Sequence, residues 1–169
     1  MTSKKVLGKV LEILGLDMPD MSTFDNRLKF QKIIYLLQSS GMSLGYGYNW
    51  YVKGPYSSPL AHDLFELEDN SEIYDEIRQK RFKNHDQIVD KLNEFKNFLG
   101  DGMNDAKYLE VLASIHYINE TTFSGNGSYD ELKKALLNAK PSLKTVEGID
   151  DTISEAYKKL QEFNNIYAS

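Results

Sequence analysis

The chain has 169 residues, of which 41% are apolar and 27% charged; this is ordinary for a globular protein and excludes intrinsic disorder of the whole chain. The absence of cysteine excludes a disulfide framework, a thiolate zinc site and a cysteine nucleophile. The net charge of −5 excludes a generic nucleic-acid binder, although residues 1–60 carry 7 basic and 4 acidic side chains, or +3. No apolar run approaches the ~18 residues that a membrane span requires, and we expect a cytoplasmic protein with a single domain over residues 1–169.

Apolar side chains that recur at helical spacing predict six or seven helices. Val6, Val10 and Leu14 form the stripe of the first helix. Ser128 followed by Glu131 is typical of a capping box at the start of a later helix. The predicted helices cover, in chain order, about residues 3–14, 24–40, 57 or 58 to 67, 86–99, 105–118, 128–138 and 149–166.

Between the second and third helices, residues 46–52 change to the period of a strand. A turn is predicted at 53–56, where Gly54 precedes Pro55. Because residues before proline are sterically restricted, a glycine here indicates a backbone conformation that other residues reach only with strain. One face of the strand carries four large side chains, Tyr46, Tyr48, Trp50 and Val52.

Residues 70–84 leave two alternatives open, a helix with Ile73 and Ile77 on one face or two short strands that form a wing. The fold class is therefore predicted as mainly α, a compact helical domain with a small β-hairpin and a winged-helix-like core. Residues 1–84 would form the winged-helix-like part and residues 85–169 the helical part.

Catalytic patterns are weak. His62 and Glu66 lie one helical turn apart, which is the spacing of two metal ligands, but a metal site needs further ligands and a solvated helix face explains the pair. His116 lies in an apolar helix and is interpreted as a core histidine. We therefore expect no cofactor, no metal and no enzymatic activity, and keep an enzyme with an unrecognised site as an alternative.

The aromatic segment around Gly54 is the strongest candidate interaction site. It contains Trp50, the only tryptophan, and several tyrosines beside Lys53. Such residues either fill a corner of the core or contact a partner, and both interpretations can hold for different faces. The candidate partner-binding residues are Tyr48, Trp50, Tyr51, Lys53, Gly54, Pro55, Tyr56 and Ser57.

Two stretches of the chain resemble a known family. Residues 27–37, RLKFQKIIYLL, and residues 50–64, WYVKGPYSSPLAHDL, resemble the YwgA-like uncharacterised family of bacteria, archaea and phages. The layout is similar, more distantly, to the Panacea or SocA-type antitoxin domain, also termed the GepA-like group. That resemblance implies a compact helical, winged-helix-like domain that is not an enzyme. It also implies action by binding a protein, such as a toxin that the domain neutralises or delivers to a protease.

The alternative function is a winged-helix DNA-binding regulator, with the third helix in the major groove and residues 78–83 as a basic wing. Against it, the third helix carries acidic residues and no lysine or arginine, so it would repel phosphates. We expect weak or undetectable nucleic-acid binding. Any phosphate contacts are assigned to Arg27, Lys29, Lys32, Lys53, Arg78, Lys80, Arg81 and Lys83.

Overall fold

The structure is a computed structural model that describes residues 3–17 and 19–167. This part of the chain forms eight α-helices, one antiparallel hairpin and two short 3₁₀ helices, which confirms the predicted mainly helical fold with a small hairpin. The elements are α1 (Ser3–Ile13), α2 (Phe24–Ser39), β1 (Asn49–Tyr51), β2 (Gly54–Tyr56), α3 (Ser58–Asp69), α4 (Ser71–Gln79), α5 (His85–Leu99), α6 (Ala106–Thr122), α7 (Tyr129–Ala139) and α8 (Ile149–Tyr167), with the 3₁₀ helices at Gly100–Asn104 and Pro141–Thr145.

Capping side chains fix where several helices begin. Side-chain oxygens of Thr23, Ser57, Asp105 and Ser128 accept hydrogen bonds from the first-turn backbone N–H groups of α2, α3, α6 and α7. Glu131 accepts a bond from the backbone N–H of Ser128 in return, so the predicted capping box is confirmed.

Helix α6 is the centre of the molecule. Its buried positions run almost without interruption from Leu109 to Asn119, and it packs against α2, α7 and α8. One continuous hydrophobic cluster extends from Leu7 in α1 to Leu160 in α8. A helix that is apolar on nearly every face must be covered on all sides, which accounts for the central position of α6.

Residues 70–84 form a helix, α4, followed by an irregular loop, so the alternative of a β-wing in this segment is wrong. Tyr74 and Ile77 of α4 are fully buried, and α4 packs against α1. Gly8 permits this contact because an added Cβ would lie 2.5 Å from Cδ1 of Ile77. Within the described residues, no helix combines the length and apolar character needed to cross a bilayer.

The hairpin differs from the prediction in two respects. The first strand covers Asn49–Tyr51, not the predicted residues 46–52. Most of the turn predicted at 53–56 is instead the second strand, because the chain reverses at Val52 and Lys53. The register pairs Trp50 with Pro55 and Tyr51 with Gly54. A two-stranded hairpin is at best marginally stable by itself, so other parts of the molecule must hold this one.

Two glutamine side chains of α2 form hydrogen bonds with the backbone of the hairpin segment, as a third strand would do. Gln31 donates through Nε2 to the carbonyl of Ser57 (2.8 Å) and accepts from the Ser57 N–H (2.9 Å). Gln38 accepts from the N–H groups of Leu44 (2.8 Å) and Tyr46 (3.1 Å) and donates to the Tyr46 carbonyl (2.9 Å). The backbone polar groups of an irregular segment are thereby satisfied without a larger sheet.

Gly54 has the unusual conformation expected from its place before proline. Its φ is +96°, and an added Cβ would lie 2.4 Å from Oγ of Ser114. Gly45 also has a positive φ, +88°, but faces open space. Substitution of Gly45 therefore tests backbone strain alone, whereas substitution of Gly54 tests backbone strain and steric overlap together.

We predict that Gly54→Ala lowers the free energy of unfolding by roughly 2–4 kcal/mol, because strain and overpacking add. Gly45→Ala should cost about 1 kcal/mol, from strain alone. Ser114→Ala in the Gly54→Ala background should restore part of the loss, since it removes the overlapping hydroxyl. Urea denaturation of the four proteins measures these differences, and equal losses for the two glycine variants would contradict the steric explanation.

Candidate functional site

An open groove of about 310 Å³ lies between α2, α3 and the hairpin, and it is named here the hairpin groove. Helix α2 supplies one wall, α3 the other, and the turn of the hairpin closes one side. Its apolar and aromatic lining consists of Met21, Phe24, Leu28, Tyr51, Val52, Tyr56, Ala61 and Phe65.

The rim of the hairpin groove is unusually apolar for a protein surface. Exposed fractions are 53% for Phe24, 49% for Tyr51, 84% for Val52 and 42% for Phe65. Among the described residues, Ile166 is the remaining large hydrophobic side chain that is exposed. Single exposed hydrophobic residues are common on soluble proteins, whereas several at one groove are typical of an interaction site.

Polar groups in the groove lining are all positive or neutral. Arg27, Lys32 and Lys53 line it, and no acidic side chain of the described residues does. Arg27 donates through Nη1 to the Met21 carbonyl (2.9 Å), and its guanidinium carbon lies 5.9 Å from the ring centre of Phe24. The guanidinium is thus held at the rim, beside an apolar side chain.

Lys32 lies at the floor of the groove, and its side chain is only 1% exposed. Its Nζ donates to the carbonyl of Pro55 (2.7 Å), which adds a third α2 side chain to the support of the hairpin. Burial, and next the positive charge of Lys140, lower the pKa of Lys32 to about 7, against a weaker opposing effect of Glu110. The assignment of Lys32 to a phosphate-binding surface is therefore wrong, because its ammonium is not at the surface.

A second buried charge cluster lies beside Lys32. Glu110 of α6 is 1% exposed and pairs with the buried Lys140 and with Lys107 (2.9 Å). Burial pulls the pKa of Glu110 upward, but the bonds from the two lysines outweigh it, so the carboxyl stays ionised. Burial and the charges of Lys53 and Lys107 lower the pKa of Lys140 despite its bond to Glu110. Three lysines, Lys32, Lys107 and Lys140, thus interact with one carboxylate, which leaves an excess of positive charge.

Of the predicted partner-binding residues, four meet at the groove: Tyr51, Lys53, Gly54 and Tyr56. Sequence reasoning missed Phe24 and Phe65. The sequence pattern of α3 could have identified Phe65 as an exposed aromatic residue, because it lies outside the buried stripe that Leu60, Leu64 and Leu67 form.

The other four predicted residues lie elsewhere. Pro55 and Ser57 are buried and support the hairpin through bonds to α2, so their assignment as contact residues is wrong. Trp50 does not line the groove; its ring packs at 5.6 Å against Tyr117 of α6. Tyr48, half-buried, likewise packs on α2 and donates to the Gln31 carbonyl (3.3 Å).

The predicted basic cluster near residues 78–83 is not a wing. Arg78 belongs to α4, and residues 80–83 lie in the following loop. Three of its four cations have a carboxylate partner, which reduces the positive charge offered to a phosphate. The ion pairs are Arg78–Asp75 (3.0 Å), Lys80–Glu76 (3.8 Å) and Arg81–Asp86 (3.4 Å).

In the part of the chain that the structure describes, one cluster has the composition of a metal site. His62, Asp63 and Glu66 of α3 place ligand atoms within 4.8 Å of one another. Glu66 already accepts from Lys4 (2.7 Å), and Asp63 from the hydroxyl of Tyr46 (2.6 Å). An ammonium thus occupies the cation position beside Glu66, and this arrangement explains the residues as a structural contact between α1 and α3.

His116 is a core histidine, as the sequence predicts. It is 7% exposed, and its Nδ1 shares a hydrogen bond with the Tyr35 hydroxyl (2.7 Å). Burial lowers the pKa of His116 to about 4, so the ring is neutral at physiological pH and is held in the core by this bond.

No protein-family model matches this chain, and neither a curated protein nor a solved structure shows significant similarity to it.

We predict that Lys32 makes stability depend on pH. Because its pKa is about 7 in the folded chain and near 10.4 when unfolded, the unfolded state binds the extra proton between these values. The loss of stability that results from burying Lys32 is therefore complete below pH 7, and it becomes smaller as the pH rises. Relative to Lys32→Met, the wild-type chain should gain roughly 2 kcal/mol of unfolding free energy between pH 7 and pH 9. Urea denaturation of both proteins at the two pH values measures this; an identical difference at both would contradict it.

Proposed function

We propose that the chain is a non-catalytic protein-interaction module whose hairpin groove binds an apolar, acidic segment of a partner protein. The observation that carries this proposal is the concentration of exposed hydrophobic side chains around one apolar groove. Covering such side chains removes apolar area from water, which is the main favourable term in protein association.

The shape of the site favours a macromolecular partner over a small ligand. A small ligand would be enclosed by the groove and would leave the rim exposed. Val52 is 84% exposed at the tip of the hairpin, and Phe24 and Phe65 also extend toward solvent at 53% and 42%. Only a partner larger than the groove covers all three. Aromatic side chains at such positions are frequent anchors of protein interfaces.

Charge defines the chemistry of the bound segment. Arg27 and Lys53 are half-buried groove residues with no acidic neighbour in the described lining, although the chain as a whole carries −5. A local positive groove on an acidic protein orients an oppositely charged segment and discourages basic ones. We therefore specify a partner segment with apolar residues flanked by Asp or Glu.

The state of the predicted phosphate-binding cations favours a protein partner over DNA. Four of the eight are not free for phosphates, because Lys32 is buried and Arg78, Lys80 and Arg81 are engaged by carboxylates. The family resemblance implies action on a prokaryotic or phage protein, and in that case the bound segment belongs to a toxin or to another substrate of a protease.

The test is selection of peptides from a random phage-displayed library on the immobilised full chain. Selected peptides are synthesised, and their dissociation constants are measured by fluorescence anisotropy. We expect a consensus of apolar residues with at least one acidic residue. A basic consensus, or peptides that bind outside the groove, would overturn the proposal.

We predict that Phe65→Ser weakens binding of the selected peptides about tenfold or more, because it removes an aromatic anchor from the groove. Ile166→Ser is the matched control, since Ile166 is similarly exposed (51%) but lies on α8, away from the groove. Both variants should keep the wild-type melting temperature within a few degrees. Equal affinity for wild type and Phe65→Ser would place the peptide elsewhere.

A further inference from the structure

The floor of the hairpin groove contains a cation without a counter-ion. An ammonium has three donors, and the described residues supply Lys32 with one acceptor, the Pro55 carbonyl. The buried carboxylate of this region, Glu110, is already engaged by Lys140 and Lys107. Burying a charge is unfavourable unless it is paired and hydrogen-bonded, so Lys32 lacks the partner that its position requires.

An independent observation identifies the same place. The hydroxyl of Ser114 is completely buried and has no hydrogen-bond partner within the described residues. A Cβ built on Gly54 would lie 2.4 Å from Oγ of Ser114 and 3.5 Å from Nζ of Lys32, so both polar groups converge on Gly54. Gly54 itself lines the groove. Among the described residues, a buried hydroxyl without a partner and a buried ammonium with a single acceptor thus lie next to Gly54, behind the groove lining.

Lys53 adds a positive charge to the accessible part of the groove, without an acidic partner in the described lining. It is half-buried, lines the groove together with Lys32, and its charge contributes to the lowered pKa of Lys140. Arg27 stands on the rim beside Phe24. The positive groups therefore continue from the buried end of the groove toward its opening, and no carboxylate of the described lining balances them.

We infer that the segment bound in the hairpin groove is held by a carboxylate that pairs with the accessible Lys53, at the end of the groove where Lys32 is buried, and that binding it takes up a proton. This inference rests on the proposed function and specifies its ligand chemistry. A carboxylate accepts several hydrogen bonds and supplies the missing negative charge. Its source is either the C-terminus of the segment or an Asp or Glu side chain.

The proton uptake follows from the groups that face Lys32. These are the Pro55 carbonyl from the hairpin, Glu110 from α6, and Lys140, which opposes its charge. At neutral pH the Lys32 population is partly neutral. A bound carboxylate favours the ammonium form, so affinity should fall as pH rises, at the limit about tenfold per pH unit for one linked proton.

Three probe peptides test this chemistry: Ac-Leu-Phe-Leu with a free C-terminus, the same peptide as its C-terminal amide, and Ac-Leu-Phe-Asp-amide. Dissociation constants are measured by ¹H–¹⁵N chemical-shift titration of the full chain at pH 6.5 and 8.5. We expect each carboxylate peptide to bind about tenfold or more tighter than the amide at pH 6.5, with a smaller advantage at pH 8.5. Comparison of the two acids distinguishes a terminal from a side-chain carboxylate.

Variants assign the effect to the groove floor. Lys53→Gln should reduce the preference for the acids, and Lys32→Met should remove its pH dependence. The control is Lys29→Gln, because Lys29 is a cation of α2 that lies outside the groove lining. This variant should leave the preference for the acids and its pH dependence unchanged. If Lys32→Met does not fold, Lys53→Gln and the wild-type pH dependence still decide the matter.

The outcomes separate this inference from the proposed function. Equal affinity of acid and amide, with loss of both in Phe65→Ser, overturns the carboxylate site and leaves apolar docking intact. Binding of none of the three peptides counts against both. A carboxylate preference that is the same at both pH values supports the site but overturns the proton uptake.

Discussion

The position of the hairpin depends on hydrogen bonds from side chains of one helix. Strands of three residues cannot stabilise themselves, and no third strand is present in the described chain. Gln31, Lys32 and Gln38 of α2 therefore satisfy backbone groups from residues 44–57. Leaving such buried groups unpaired would cost roughly 1–3 kcal/mol each, which is a large share of the stability of a small domain.

This support has a direct consequence for the groove. The base of the hairpin is hydrogen-bonded to α2, whereas Tyr51 and Val52 at its tip are exposed. Helix α3 begins immediately after β2, with Ser57 both capping it and bonded to Gln31. The two helices and the tip are thus fixed relative to one another by a few polar contacts. A preformed groove of this kind binds with less loss of conformational entropy than a mobile one.

Helix boundaries could be predicted because their signals are local. Caps such as Ser128 and stops such as Gly41 act within a few residues, and apolar periodicity is averaged over whole helices. The second strand was missed because Gly54-Pro55 has the composition of a turn, whereas the pairing of Tyr51 with Gly54 is a tertiary property.

The candidate site was only partly predictable for a related reason. Lys32 was assigned to possible phosphate contacts, but α2 is buried around most of its circumference, so periodicity does not define one inner face. Its partner Pro55 lies 23 residues away along the chain, and no local pattern encodes the bond. Phe24 and Phe65 become neighbours only when α2 and α3 pack around the hairpin. The aromatic segment itself was recognisable, since its composition is unusual at the level of sequence.

Gln31 and Lys32 are consecutive, yet the hydrogen-bonding groups of one are satisfied and those of the other are not. The neutral amide of Gln31 is fully matched by the two backbone groups of Ser57, whereas the ammonium of Lys32 has one acceptor and a repelling neighbour in Lys140. A second neutral amide would meet the need of Pro55 at lower cost, so hairpin support alone does not account for a lysine there. The proposed carboxylate ligand does, because it brings near Lys32 an anion that the folded chain lacks. The same turn of α2 fixes the hairpin through the bonds of both residues, and the charge of Lys32 in addition links the hairpin to the proposed ligand.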